Sequence, residues 1–237
     1  MRKIILFLIS LLILTACNNK VDDTVQGCDI FECADTNTTG EVMTFKGKYE
    51  FFNGSITDDE KVNRTVIIPE DHPYVKVQGK DILKMIENKE TFYLYVGDEQ
   101  CPWCRSVIEK SIEVSKQFNI DTIYYIEIWD DDGNEIFRDK YVYEDNELKQ
   151  VFKGDESYQK LLEYFNDFLS DYTLTVDDKT IEVNEKRIYA PNFFYVENGV
   201  LKKMTTGTSS LQKDSIEELS EEMLKEEEEL FRDFFTK

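Results

Sequence analysis

The chain has 237 residues, with 49 Asp and Glu against 28 Lys and Arg, a formal net charge of −21 and a single histidine. So large an acidic excess excludes nucleic acid as a partner, because phosphates would be repelled, and argues against the body lying flat on an anionic bilayer. The length suits one domain with insertions, 16 Phe and 13 Tyr supply a core, and one histidine leaves no room for a Ser–His–acid triad; no phosphate loop, dinucleotide fingerprint or internal repeat is present.

Arg2 and Lys3 precede an apolar run from Ile4 to Leu14, broken only by Ser10, and Leu14-Thr15-Ala16-Cys17 closes it. A basic start, a short apolar stretch and small residues form the layout of a secretory signal. The run is too short to span a bilayer, which needs about 20 apolar residues. A cysteine directly after Leu-x-Ala resembles the bacterial lipoprotein lipobox. That resemblance implies that residues 1–16 are a signal peptide removed before Cys17, and that the Cys17 thiol carries lipid. Several acyl chains on one residue hold firmly where a single chain is marginal. Loss of Arg2 and Lys3 makes the mature chain two charges more negative. Residues 17–40 are polar and read as a lipid-anchored flexible linker, reaching about 25–30 Å from the bilayer.

Residues 41–237 are expected to form the domain. Alternating pieces at 42–45, 49–52, 65–68 and 74–77 predict short strands, an N-terminal β extension over about 41–79, with Asn53-Gly54 as a turn. Asp81 to Asn88 reads as a helix with Ile82, Leu83, Met85 and Ile86 inward. Thr91 to Gly97 is strand-like. After Cys101-Pro102-Trp103-Cys104, a helix beginning at Arg105 carries Val107, Ile108, Ile112, Val114 and Phe118 at a 3.6 period. Asp121 to Trp129 is a second strand, which makes a right-handed βαβ unit with parallel strands.

Asp130 to Asn134 is a turn; as a calcium loop it fails, since Ile128 occupies the first ligand position. Lys140 to Lys153 reads as a hairpin turning at Asp145-Asn146. Tyr158, Leu161, Leu162, Phe165, Phe168, Leu169 and Tyr172 define an amphipathic helix whose stripe is core packing. Thr173 to Val183 suggests another hairpin, with Asp177-Asp178 at its tip. Ile188 to Val196 and Val200 to Met204 form a final hairpin around Asn198-Gly199. Ser215 and Glu218 look like the capping box of a closing helix, with Ile216, Leu219, Met223, Leu230 and Phe234 on one face and Glu226 to Glu229 in solvent.

The chemistry sits in the Cys101-x-x-Cys104 pair at the strand-to-helix junction. Amide dipoles at the helix start favour a thiolate on Cys101, the expected exposed attacking sulfur, with Cys104 shielded as the resolving thiol. Pro102 shapes the turn and Trp103 offers a flat apolar surface. Asp98 and Glu99, expected in a loop, should raise the Cys101 pKa, and Arg105 should lower it; the balance favours a reductant or isomerase over a strong oxidant. Cys28 and Cys33 are placed to close a small structural disulfide ring outside the cytoplasm. A four-thiolate metal site with Cys101 and Cys104 is disfavoured by the spacing and by oxidation, and His72 is the single histidine, so neither metal nor cofactor is expected.

The order βαβ, helix, hairpin, closing helix, with this motif after the first core strand and Pro191 before the final hairpin, resembles the thioredoxin fold over about residues 80–237. The resemblance implies an α/β domain with a central mixed β-sheet flanked by helices. An insertion of about residues 130–185 would lie between the second core strand and a cis-proline at Pro191. It also implies that the Pro191 loop meets the cysteines and that the Ala190 backbone pairs with a substrate strand. Gly97-x-x-x-Cys101-Pro102-Trp103-Cys104 and Tyr124-Tyr125-Ile126 look closest to the bacteriocin-transport-accessory type of thioredoxin-like protein. One departure stands out: where many thioredoxins keep a buried acid, six residues before the first cysteine, this chain has Tyr95, so the proton relay is absent or moved. Motif and resemblance together lead to the expectation of an extracytoplasmic, membrane-tethered bacterial thiol-disulfide oxidoreductase whose Cys101 and Cys104 form the redox-active disulfide. It would act as a monomer on disulfide-containing exported proteins or with a membrane redox partner. Two other readings compete: a non-catalytic thioredoxin-like lipoprotein that binds a peptide or a secretion or transport partner, and a metal-handling lipoprotein, which lacks further ligands.

Overall fold

The computed structural model describes residues 43–57, 60–130 and 132–236. The signal segment 1–16, the linker 17–40, Cys17, Cys28 and Cys33 lie outside the described residues. In chain order the elements are α1 (Phe45–Phe51), β1 (Tyr74–Lys76), α2 (Gly79–Glu87), β2 (Phe92–Gly97), α3 (Pro102–Gln117), β3 (Ile123–Glu127), β4 (Lys140–Glu144), β5 (Glu147–Phe152), α4 (Glu156–Phe165), β6 (Ser170–Val176), β7 (Lys179–Arg187), β8 (Asn192–Glu197), β9 (Val200–Thr205) and α5 (Glu221–Phe235).

Every residue of β2 is buried, as a strand covered on both faces requires. It is the middle strand of a mixed sheet of order β1-β3-β2-β8-β9. β3 runs parallel to it, with Leu94 opposite Tyr124, and β8 runs antiparallel, with Leu94 opposite Phe194. β1 pairs parallel with β3, and β9 antiparallel with β8. Because side chains alternate along a strand, Phe92, Leu94 and Val96 join one core and Tyr93 and Tyr95 another. The first core, largely aliphatic, takes Ile82 and Ile86 of α2 and Leu161 and Phe165 of α4. The second takes Tyr49 of α1, Val107 and Ile108 of α3, and Phe231, Phe234 and Phe235 of α5. The result is a mixed α/β architecture, a central mixed sheet with helices on both faces. Between β3 and β8 the chain makes the β4–β5 hairpin, then α4, then the β6–β7 hairpin.

The β extension expected over 41–79 is mostly something else. Residues 45–51 form a helix, capped by Thr44 Oγ1 accepting from Gly47 N, and Asn53-Gly54 is the turn that ends it, with Gly54 at φ +70°. Residues 65–68 do alternate, Val66 and Ile68 being fully buried and Ile67 exposed, yet they pair with no strand. Side chains supply their hydrogen bonds instead. Asn53 bonds both the N–H and the carbonyl of Val66, Glu109 Oε1 accepts from Ile67 N, and Glu50 Oε1 accepts from Ile68 N. Only Tyr74–Lys76 becomes a strand, and it belongs to the central sheet. Lys48 of α1 and Lys76 of β1 both reach the buried Glu127 carboxylate of β3, at 2.8 and 2.7 Å, which fastens this segment to the sheet.

Two helix boundaries also differ from the periodicity. α4 stops at Phe165, a 3-10 turn covers Asn166–Phe168, and Tyr172 lies in β6, where the guanidinium of Arg187 covers its ring at 4.1 Å. α5 begins at Glu221, not beyond Ser215, because Ser220 is its N-cap, accepting from Met223 N at 3.2 Å. Its buried face carries Phe231, Phe234 and Phe235, and its ring Phe231 lies so close to Gly207 that a Cβ there would meet it at 2.2 Å.

The acidic run on α5 is not wholly solvated either. Glu227 is fully buried, and neither of its carboxylate oxygens has a hydrogen-bond partner. Burial pushes its pKa up to about 8, against the opposing pull of Arg64 and Lys110. The unfolded chain releases that proton near the ordinary value of about 4.3. Between these limits the native state holds the extra proton, so this group's contribution to stability falls as pH rises and is fully lost above about pH 8. Glu227→Gln is therefore expected to gain on the parent chain in urea-unfolding midpoints as pH is raised from about 5 to 9; a pH-independent difference would contradict a neutral Glu227.

Candidate active site

Cys101 is the N-cap of α3. Its backbone is extended, and its Sγ accepts from Cys104 N at 3.4 Å. Pro102 occupies the first helical position, where its missing N–H leaves no bond unmade. Both cysteines are free thiols. The Cys101 thiol donates to the Ala190 carbonyl at 3.8 Å, and the Ala190–Pro191 peptide is cis. Trp103, Trp129 and Ala190 are partly buried and pack against the core cluster that holds both cysteines. Cys104 is fully buried beneath, with Asp98 N donating to its sulfur at 3.4 Å. The geometry thus brings together Cys101, Pro102, Trp103, Cys104, Ala190 and Pro191.

The helix-start position predicts an exposed Cys101; the residue is 6% exposed, because the 188–191 loop lies over it. The two thiols differ sharply. A hydrogen bond from Cys104, the backbone N–H of Cys104 and the charge of Arg138 draw Cys101 below the ordinary thiol value in spite of burial. Burial, and then the neighbouring Cys101, push Cys104 well above it. One sulfur is set to ionise and the other to stay protonated.

The residues flanking the motif are placed differently from expectation. Asp98 and Glu99 lie in the loop between β2 and α3, as expected, but are buried there. Asp98 accepts from Gln100 N at 2.9 Å and from Trp129 N at 3.0 Å. Burial and then the adjacent Glu99 charge raise its pKa, and burial and then Glu127 bring Glu99 to about 7. With both values raised by burial, these carboxyls oppose a Cys101 thiolate less than two carboxylates of ordinary pKa would.

Arg105 points away from Cys101. It is fully buried, and its guanidinium donates to the carbonyls of Arg64 (2.7 and 3.1 Å), Tyr49 (2.8 Å) and Glu99 (2.9 Å) and to Asn53 Oδ1 at 2.5 Å. The cation acting on Cys101 is Arg138, a residue no sequence pattern singles out. Its pairing with Glu135 three residues earlier is visible in the sequence, but nothing there brings position 138 to position 101.

Tyr95, standing where the thioredoxin resemblance calls for an acid, is fully buried, and its hydroxyl lies 2.8 Å from that of Tyr49. Its ring curls over Gly97, where a Cβ would meet the Tyr95 oxygen at 2.1 Å, so glycine leaves room for it. Burial and then the Cys104 charge hold the Tyr95 and Tyr49 hydroxyls well above the ordinary tyrosine value. They are hydrogen-bond donors beside the inner sulfur and not bases. Among the described residues no group of three or more His, Cys, Asp or Glu is arranged to hold a metal ion.

The N-terminus matches the family described as prokaryotic membrane lipoprotein lipid attachment site, over residues 1–18, which include Cys17. No curated protein matches the chain. No helix among the described residues is long and apolar enough to cross a membrane. The protein is a lipid-anchored extracytoplasmic membrane protein.

Iodoacetamide is expected to label Cys101 in the native protein, with a pH midpoint below the free-thiol value of about 8.5. Cys104 should stay unlabelled until the fold is opened. Peptide mass mapping reads both, and equal labelling of the two thiols would contradict the asymmetry.

Proposed function

We propose that this lipoprotein is a thioredoxin-like thiol-disulfide oxidoreductase acting outside the cytoplasm, with Cys101 as attacking and Cys104 as resolving thiol. The observation that carries the reading is the Cys101 sulfur at the start of α3, hydrogen-bonded to Cys104 N at 3.4 Å and to the Ala190 carbonyl at 3.8 Å. The central mixed sheet flanked by helices and the cis Ala190–Pro191 peptide beside Cys101 support the reading. In the reducing direction the Cys101 thiolate attacks a client disulfide, one client thiolate leaves, and a mixed disulfide forms. Cys104 loses its proton and attacks Cys101 Sγ, the second client thiolate leaves, and the Cys101–Cys104 disulfide remains. Cys104 is the slower partner while buried beside hydroxyls that cannot take its proton; Glu99, with a pKa of about 7 and next in sequence to the Asp98 whose N–H meets the Cys104 sulfur, is a base matched to that task. The clients are disulfide-containing exported proteins, and a membrane redox partner would reset the pair. The bacteriocin-transport-accessory type remains the subgroup whose motif this one most resembles.

A second reading has one observation in its favour. Cys101 is only 6% exposed, as suits a non-catalytic module that binds a peptide or a secretion partner through Trp103 and Trp129. Insulin reduction separates the two. The oxidoreductase reading expects activity to fall by about 10³-fold or more in Cys101→Ser, as when a nucleophile is removed, and Cys104→Ser to accumulate mixed disulfides. Wild-type rates in both variants would leave the binding module.

A further inference from the structure

Arg138 is a buried cation with no counterpart in the motif itself. It is 5% exposed, on the segment between β3 and β4. Glu135 grips it as a fork, Nε to Oε1 and Nη2 to Oε2, both at 2.8 Å. Its Nη1 donates to the Ile188 carbonyl at 3.3 Å, two residues before the carbonyl that receives the Cys101 thiol. The same Glu135 carboxylate also faces Arg187, at 3.6 Å. Two guanidiniums therefore share one carboxylate. The other buried acid nearby, Asp139, turns its oxygens to Gly154 N and Gln159. Tyr158 of α4, Tyr172 of β6 and Tyr189 also face the two arginines, and burial raises the Tyr158 pKa to about 12. A buried positive charge short of a carboxylate favours any anion that can form within reach. Arg138 and Cys101 bond carbonyls two residues apart on one loop, those of Ile188 and Ala190, which leaves the Cys101 sulfur within reach of the Arg138 charge.

We propose that Arg138, oriented by Glu135, is the positioning residue that stabilises the Cys101 thiolate, and that it biases the Cys101–Cys104 pair toward donating its disulfide. The direction rests on the oxidoreductase reading above. A client thiolate attacks Cys101 Sγ of the disulfide, the Cys101–Cys104 bond breaks, and Cys104 leaves with the electron pair and takes up a proton. The second client thiolate then attacks the client sulfur of the mixed disulfide. Cys101 leaves as a thiolate, opposite Arg138. The client dithiol is oxidised by two electrons, the protein disulfide is reduced by two, and one proton passes to solvent. A stabilised reduced form makes a disulfide a stronger oxidant. This reverses the balance that the sequence positions of Asp98, Glu99 and Arg105 had suggested.

The test uses the full chain, with Cys101 followed by mass mapping. In Arg138→Met the pH midpoint of Cys101 alkylation is expected to rise by about one unit, and the equilibrium with glutathione to move about tenfold toward the protein disulfide. Arg138→Lys should restore most of both. Glu135→Gln removes the shared negative charge and should move the midpoint the other way. Arg187→Met, which leaves the Glu135 carboxylate to Arg138 alone, should raise the midpoint by less than Arg138→Met does. Opposite shifts from Arg138→Met and Glu135→Gln support the proposal, since general loosening would not change sign. An unmoved midpoint, or shifts of the same sign, overturns it. If Arg138→Met does not fold, Glu135→Gln decides: a lowered midpoint supports the proposal, and an unmoved or raised one overturns it. An alkylation shift in a protein that exchanges no disulfide with glutathione would uphold the electrostatics and sink the enzymatic reading instead.

Discussion

The guanidinium of Arg105 holds the candidate site together. Three stretches that the chain delivers separately, α1, the 63–66 segment and the turn after β2, each present a carbonyl or amide oxygen to this one side chain. Arginine suits the position because its planar fork can serve several acceptors at once while staying charged when buried. Each carbonyl left without a donor in that interior would cost about 1–3 kcal/mol. The start of α3, and with it Cys101, is therefore rooted in the N-terminal segment as well as in the sheet.

The asymmetry of the thiols grows from that anchor. Cys101 caps the helix, accepts from the Cys104 N–H, donates to the Ala190 carbonyl and feels the Arg138 charge. Cys104 sits within the first turn, among tyrosine rings and under Asp98 N. Hydrogen bonds and a cation lower one pKa, and desolvation raises the other. The same low-dielectric interior acts on Asp98, Glu99 and Glu227. An acidic chain has thus buried several carboxyls whose pKa values burial raises, while the bulk of its negative charge stays in water.

The elements nearest the motif were legible because their signals are local. β2 and α3 carry the right periodicities, and Cys101, Pro102 and Cys104 stand where a helix start needs an N-cap, a proline and a first-turn residue. Residues 45–51 and 65–68 misled for an identifiable reason. The alternation in 65–68 is real, but Asn53, Glu50 and Glu109 replace the neighbouring strand, and side chains from 13 or more positions away leave no mark on a short window. At α5, Ser215 and Ser220 both fit as caps, and the packing of Phe231, Phe234 and Phe235 against the sheet favours the later start.

By itself the sequence determined the lipid anchor, the CxxC pair at a strand–helix junction, the βαβ unit and the closing hairpin, since each is written in contiguous residues whose spacing or order has one physical meaning. The tertiary structure alone decided which charges act on the sulfurs. Arg105, one residue from Cys104, is turned away into the carbonyls of other segments, whereas Arg138, far along the chain, is brought to Cys101. Electrostatic influence depends on distance and burial in space, and neither is encoded by neighbourhood in the chain.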